Sequence, residues 1–261
     1  MNATVTVSTW NFMHLGGEYA DPLGVIDTIR SLGFAPELWL NWDGRPDWAD
    51  RPRWDGLRER IGPCPNLSCH SRNDRGRLLE EIELLGHLGG RVLVVHPVAL
   101  SEPAHRDERP AAHPDLPFIR DLAGAARARG VFLGLENIFG REFLDRTLGG
   151  VETFDGRGGL GICIDLGHAE MRRPDPGQSP EELIHDFGPV LLHLHVHDVV
   201  EGVDHRPLGA GCMNYATIAA ALRDADYDGT AALEIQDYDP AATIRGAWAL
   251  LSALLGKHLT R

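Results

Sequence analysis

The 261-residue chain carries 25 basic against 38 acidic residues, a formal net charge of −13 with histidine neutral, and 43% hydrophobic residues. That balance argues against a nucleic-acid or anionic-membrane surface, because phosphate recognition needs clustered Lys and Arg; the only lysine is Lys257 and the arginines are scattered. No apolar run approaches the ~20 residues of a membrane span, and residues 1–10 show no basic stretch followed by an apolar one, so a cytoplasmic location is expected.

In chain order one rhythm repeats: a short apolar run, a polar turn, then a segment of helical periodicity. Strand-like runs fall at residues 4–10, 36–39, 66–70, 91–96, 131–136, 160–165, 191–195 and 231–235. Several are β-branched and apolar throughout, as strands buried on both faces are. Helices are predicted at 22–32, 54–61, 75–88, 116–129, 180–187, 215–224 and 240–255, with Gly33, Gly89-Gly90, Gly130 and Gly188 near their ends as caps. Eight β-α units, with no GxGxxG after the first strand, fit an α/β fold of the (β/α)8 TIM barrel type, a single domain over residues 1–261, better than a doubly wound sheet. The Pro-rich pieces at 51–53 and 102–117 read as loops. Cys64, Cys69, Cys163 and Cys212 form no CxxC pair, so neither a disulfide framework nor a cysteine-only zinc site is expected. Cys163, two residues before Asp165, reads as a core thiol one layer deeper.

What ends each strand is the chemical signal. The second strand ends near Glu37, the third at His70, the fourth at His96, the fifth at Glu136, the sixth at Asp165 with His168 beyond it, the seventh at His195 and the eighth at Glu234. In a barrel these ends converge on one rim, where active sites of this fold are built. A lone histidine there is more often a hydrogen-bonded structural residue than a ligand, and Glu37 has a plain alternative in pairing with an arginine. Glu136 in GLGLEN and Glu234 in AALEIQ each follow small and apolar residues; unpartnered, such carboxylates cost several kcal/mol or shift their pKa until neutral. A divalent cation resolves that cost for several carboxylates at once. Glu136, Asp165, His195 and Glu234 form an oxygen-rich set suited to Mn2+, Mg2+, Co2+ or Fe2+, with Zn2+ also accommodated. Within His193-Leu-His195-Val-His197 alternation puts all three histidines on one strand face. Spacing alone does not choose among them; His195 is taken as the ligand, with His193 deeper and His197 in the following loop.

The strand-end signatures VVHP (94–97), GLEN (134–137), IDLGH (164–168), HLHVHD (193–198), HRPLGAG (205–211) and ALEI (232–235) resemble the xylose isomerase-like TIM barrels, the superfamily of sugar isomerases and epimerases related to tagatose 3-epimerase, hydroxypyruvate isomerase and inosose dehydratase. Endonuclease IV shares that barrel. The resemblance implies one divalent ion, usually manganese, on Glu136, Asp165, His195 and Glu234, with Glu136 and Glu234 also acting as acid/base pair. It implies substrate contacts from His70, His96, Glu142 and His168, and a small polyol or ketose as substrate. Homodimers are common in the family resembled. An α-hydroxy ketone chelated through its carbonyl and hydroxyl would lose a carbon-bound proton to one glutamate, giving a metal-stabilised cis-enediolate. Return to the same carbon is epimerisation and to its neighbour isomerisation.

This sequence departs from the pattern at two points. Ala210 stands where the family's PLGEG loop has Glu, and Glu201 stands where sugar epimerases place an arginine, for which Arg206 is the available substitute. A rival reading is a multinuclear hydrolase or oxidase of the endonuclease IV type, for which His70, His96, His168 and His205, with Asp204 adjacent, supply further ligand types. The −13 charge weighs against a DNA substrate. Trp10, Phe12, Trp39 and Trp42 cluster around the first two loops, as an apolar wall for a substrate or as caps of the barrel.

Overall fold

The computed structural model describes residues 3–105, 113–153, 156 and 158–261; part of the loop expected at 102–117 therefore lies outside the described residues. The strands are β1 (Ala3–Ser8), β2 (Ala35–Trp39), β3 (Ser68–His70), β4 (Val92–Val95), β5 (Phe132–Glu136), β6 (Leu160–Asp165), β7 (Leu191–Val196), β8 (Asp198–Val200), β9 (Val203–Arg206), β10 (Thr230–Leu233) and β11 (Leu259–Thr260). The helices are α1 (Trp10–Met13), α2 (Pro22–Ser31), α3 (Trp54–Ile61), α4 (Leu78–Leu88), α5 (Pro97–Leu100), α6 (Leu116–Ala128), α7 (Arg141–Leu148), α8 (Leu166–Met171), α9 (Pro180–Phe187), α10 (Tyr215–Asp224) and α11 (Pro240–Leu255). The hydrogen-bonded strand order β10-β7-β6-β5-β4-β3-β2-β1 closes by pairing β10 with β1, the connectivity of a (β/α)8 barrel, and β11 adds to β1. Among the described residues no helix is long and apolar enough to cross a membrane.

The chain packs as two compact units, residues 1–38 with 164–261 and residues 39–163. In the first, β1 is buried throughout and runs parallel between β10 and β2, with Val7 level with Leu233 and Ser8 with Glu37. On the other side of β10, β7 places His195 level with Ala232. The helix starts are written in the sequence: Pro22, Pro180 and Pro240 occupy first turns behind the caps Asp21, Ser179 and Asp239. Ser179 and Glu182 form a full capping box. The β8–β9 hairpin pairs Asp198 with Arg206 and turns through Glu201 and Gly202, both at positive φ. It is short and polar, without a core-facing pattern of its own, which is why apolar periodicity did not reveal it.

In the second unit β3, β4, β5 and the first residues of β6 run parallel, with His70 level with Val94 and Glu136 level with Cys163. The expected helix at 75–88 begins instead at Leu78, because Arg77 N–H closes a turn on the Asp74 carbonyl first. Gly89, at φ 75°, ends that helix in the left-handed conformation. Glu81 is buried against Arg72, Nη1 to Oε1 3.2 Å; burial raises its carboxyl pKa and the contacts from Arg72 offset part of that.

Candidate metal centre and active site

Asp165 closes β6 and opens α8. Its Oδ1 accepts the His168 backbone N–H at 2.7 Å as the helix cap, so the turn that ends the strand also fixes the carboxylate. His195 Nδ1 stands 3.5 Å from Glu234 Oε2 and 3.8 Å from Asp165 Oδ2. Asp165 and His195 are fully buried and Glu234 is 3% exposed. Glu234 immediately follows β10, where Asn11 Oδ1 accepts the next backbone N–H, that of Ile235, at 2.8 Å. The gaps around His195 Nδ1 exceed good hydrogen bonds. They approach the roughly 3.0–3.5 Å that separates neighbouring ligand atoms around one ion at about 2.1 Å. Each carboxylate oxygen is thus placed to share a divalent cation with the buried His195 imidazole.

Behind that imidazole lies Glu37. Its Oε2 is 2.8 Å from His193 Nε2 and its Oε1 3.4 Å from His195 Nε2, while His193 Nδ1 meets the Thr230 hydroxyl. Burial alone would raise the Glu37 carboxyl, but the imidazoles of His195 and His193 outweigh it and hold it well below the usual carboxylate range. The arginine partner considered from sequence is thus replaced by two histidines. His193 lies deeper along β7 than His195, as expected, and His197 follows the strand's last residue, Val196. His197 is nevertheless fully buried, with Nε2 2.9 and 3.0 Å from the two Asp165 oxygens.

The β8–β9 hairpin adds His205, whose ring stacks on His197 at 4.0 Å and lies 4.4 Å from Trp10. His205 Nδ1 is 3.2 Å from the Glu234 carbonyl oxygen, which makes Nδ1–H the donor. Burial, then the neighbouring His197, pushes the His205 pKa down to about 4. Asp204 lies 3.5 Å from His168 Nε2 and 3.9 Å from His205 Nε2; the His168 hydrogen bond holds its carboxyl below the usual range against burial. Arg206 is half-buried in the hairpin, level with Asp198. Asp198, missed from sequence, is a buried carboxylate collecting the N–H groups of Val199, Gly209, Gly211 and Met213 at 2.8–3.2 Å. It thereby fixes the loop after the hairpin.

In the second unit Glu136 Oε2 lies 3.3 Å from His70 Nε2 and 3.1 Å from His96 Nε2. His70 Nδ1 faces the Ser71 carbonyl at 3.1 Å, and Trp39 covers the His70 ring at 4.0 Å. Asn73, also missed, holds His96 through both its amide atoms. Glu142 is exposed on the first turn of α7, paired with Arg146 at 2.9 Å. Phe12 and Trp42 are core residues, against Tyr19 and Trp48 respectively, whereas Trp10 and Trp39 do face site histidines.

The chain is 29% identical over 185 residues to an uncharacterised protein of Methanocaldococcus jannaschii, covering 66% of this chain and spanning 62% of that relative's length. Among solved structures it is similar to a D-tagatose 3-epimerase-like protein (TM-score 0.70, 20% identity, 96% and 97% of the two chains). It is also similar to an L-ribulose 3-epimerase (0.67, 18%, 99% and 96%) and to the IolI protein with a bound zinc atom (0.69, 15%, 98% and 99%). At these identities the structural likenesses speak for the fold. The profile of one family matches residues 58–254, most of the chain, and the protein belongs to it: the xylose isomerase-like TIM barrels.

Proposed function

We propose that the protein is a divalent-metal-dependent isomerase or epimerase of a ketose, cyclitol or keto acid. In this reading Glu136, Asp165, His195 and Glu234 hold one ion, Mn2+ in the first instance, and Glu136 and Glu234 form the acid/base pair. The observation that carries it is the buried His195 Nδ1 with a carboxylate oxygen on either hand, Glu234 Oε2 at 3.5 Å and Asp165 Oδ2 at 3.8 Å. Family membership and the likeness to structures of epimerases support the reaction class. The zinc named for the IolI structure supports a metal on this scaffold.

Such an ion supplies Lewis-acid polarisation of a substrate carbonyl and its neighbouring hydroxyl. The chain's own residues do the rest. One glutamate takes the proton from the carbon beside the carbonyl, and the same or the other returns it. His70, His96, His168 and Arg206 supply hydroxyl contacts, with Glu142, paired with Arg146 on α7, as a further carboxylate contact. Trp10 and Trp39 give apolar faces, suiting a sugar ring. A cytoplasmic, homodimeric enzyme completes the reading. The test is incubation of the Mn2+-loaded protein with ketoses and inososes in D2O: carbon-bound deuterium uptake is expected, and its absence across the set counts against the proposal.

One observation favours a second reading. Asp204 Oδ2 lies 3.5 Å from His168 Nε2 and 3.9 Å from His205 Nε2, with His168 Nδ1 3.5 Å from Asp165 Oδ2, a set of donors that another ion would draw on. Two or three ions per chain on metal analysis, with phosphodiester cleavage or an oxidase activity, would select the multinuclear alternative.

A further inference from the structure

We infer that His197 is a positioning residue for Asp165, held in one tautomer by the β8–β9 hairpin and given its place by the missing side chain of Gly167. The inference rests on the metal reading above, in which Asp165 is a ligand.

The tautomer follows from a donor that cannot change sides. The His205 backbone N–H points at His197 Nδ1 at 2.8 Å, so Nδ1 must accept. The Asp198 carbonyl also lies near Nδ1, at 3.4 Å, but the shorter contact to an obligate donor decides. The ring proton is therefore on Nε2, directed at both Asp165 oxygens, 2.9 and 3.0 Å away. With both nitrogens spent, His197 has no lone pair to offer an ion, although His168 and His205 crowd around it.

What His197 does is orient a carboxylate. Asp165 Oδ1 receives the His168 N–H at 2.7 Å as well, so that oxygen is doubly engaged and Oδ2 is the one presented towards His195 Nδ1. A hydrogen-bond donor behind a ligating carboxylate restricts its rotation and tunes its charge.

The site is built for this ring. A Cβ on Gly167 would lie 2.0 Å from His197 Cε1 and 2.4 Å from Nδ1, which no side chain survives. The imidazole is also stacked by the His205 ring at 4.0 Å. His205 itself takes φ 54°, an uncommon conformation outside glycine, and it is there that its N–H reaches His197. The glycine of IDLGH and the last histidine of HLHVH are thus two halves of one contact.

The experiment compares Mn2+ affinity, read by the EPR signal of free Mn2+, in the wild type, His197→Phe, His197→Gln and Gly167→Ala, with thermal melts to establish folding. His197→Phe keeps the ring without the donor; Gly167→Ala moves the ring without touching a ligand. Both are expected to weaken Mn2+ binding by roughly 10–100-fold, with partial recovery in His197→Gln. In the metal-free wild type, 15N NMR is expected to show His197 protonated on Nε2. A folded His197→Phe with wild-type affinity, or a His197 protonated on Nδ1, overturns the inference; if His197→Phe fails to fold, Gly167→Ala and the NMR decide it. A wild type that binds no Mn2+ overturns the metal reading itself, and with it the role assigned to His197.

Discussion

Asn73 and His96 are joined twice. The His96 backbone N–H donates to Asn73 Oδ1 at 2.9 Å, and Asn73 Nδ2 lies 3.1 Å from His96 Nδ1. The first bond settles which amide atom is oxygen, so Nδ2–H donates to the ring and His96 carries its proton on Nε2, which lies 3.1 Å from both His70 Nε2 and Glu136 Oε2. His96 is therefore a donor at Nε2 in this arrangement rather than a ready ligand of a second ion. Asn73→Asp keeps the acceptor for the backbone but replaces the donor at Nδ1 with a second acceptor. The His96 proton is expected to move to Nδ1 in this variant, as read by 15N NMR; an unchanged Nε2–H would contradict the arrangement.

Glu136→Gln and Glu234→Gln each remove an acid/base group while keeping its shape. Each is expected to lower turnover by about 10²–10⁴-fold, the usual worth of a positioned proton carrier. Steady-state kinetics on metal-loaded protein measure it, and either variant retaining wild-type turnover removes that glutamate from the proposed pair.

Much of the framework was legible because its determinants are local. Eight apolar runs marked eight barrel strands, and glycines such as Gly89 marked helix ends. The strand-end carboxylates Glu136, Asp165 and Glu234 stood out because charge after an apolar run needs a partner. The rest depended on pairings distant in sequence. Glu37 finds His193 and His195, over 150 positions away, and no periodicity encodes that. The short β8–β9 hairpin and α7 had too few core-facing residues to register, so His205's reach to His197 was hidden. The signals available in retrospect were Gly167, one residue before His168, and three alternating histidines where one ligand sufficed.

His205 makes stability depend on pH. Its folded pKa of about 4 lies below the ordinary 6.5, so between those values the unfolded chain binds the extra proton. Stability from this group is full above pH 6.5 and is lost as pH falls towards 4, a total of roughly 3 kcal/mol for a shift of this size. Urea unfolding of the metal-free protein across that range is expected to show the loss in the wild type and a shallower slope in His205→Gln. Equal slopes would mean that His205 is not held neutral by its surroundings.

Asp198→Ala leaves the N–H groups of Val199, Gly209, Gly211 and Met213 without their shared acceptor. A cost on the order of 3 kcal/mol is expected from the lost bonds to a charged group. Chemical denaturation measures it, and amide hydrogen exchange should quicken at residues 209–213; a variant as stable as the wild type would show that loop to be held by other contacts.

The proposed function places a single divalent ion on four strand-end residues. Its most direct test is a crystal of the Mn2+-loaded protein and an anomalous-difference map at the manganese edge. One peak is expected, bonded by Glu136, Asp165, His195 and Glu234 at about 2.1–2.3 Å. A map with no peak among those four residues, or with its strongest peak on His168 and His205 instead, would contradict it.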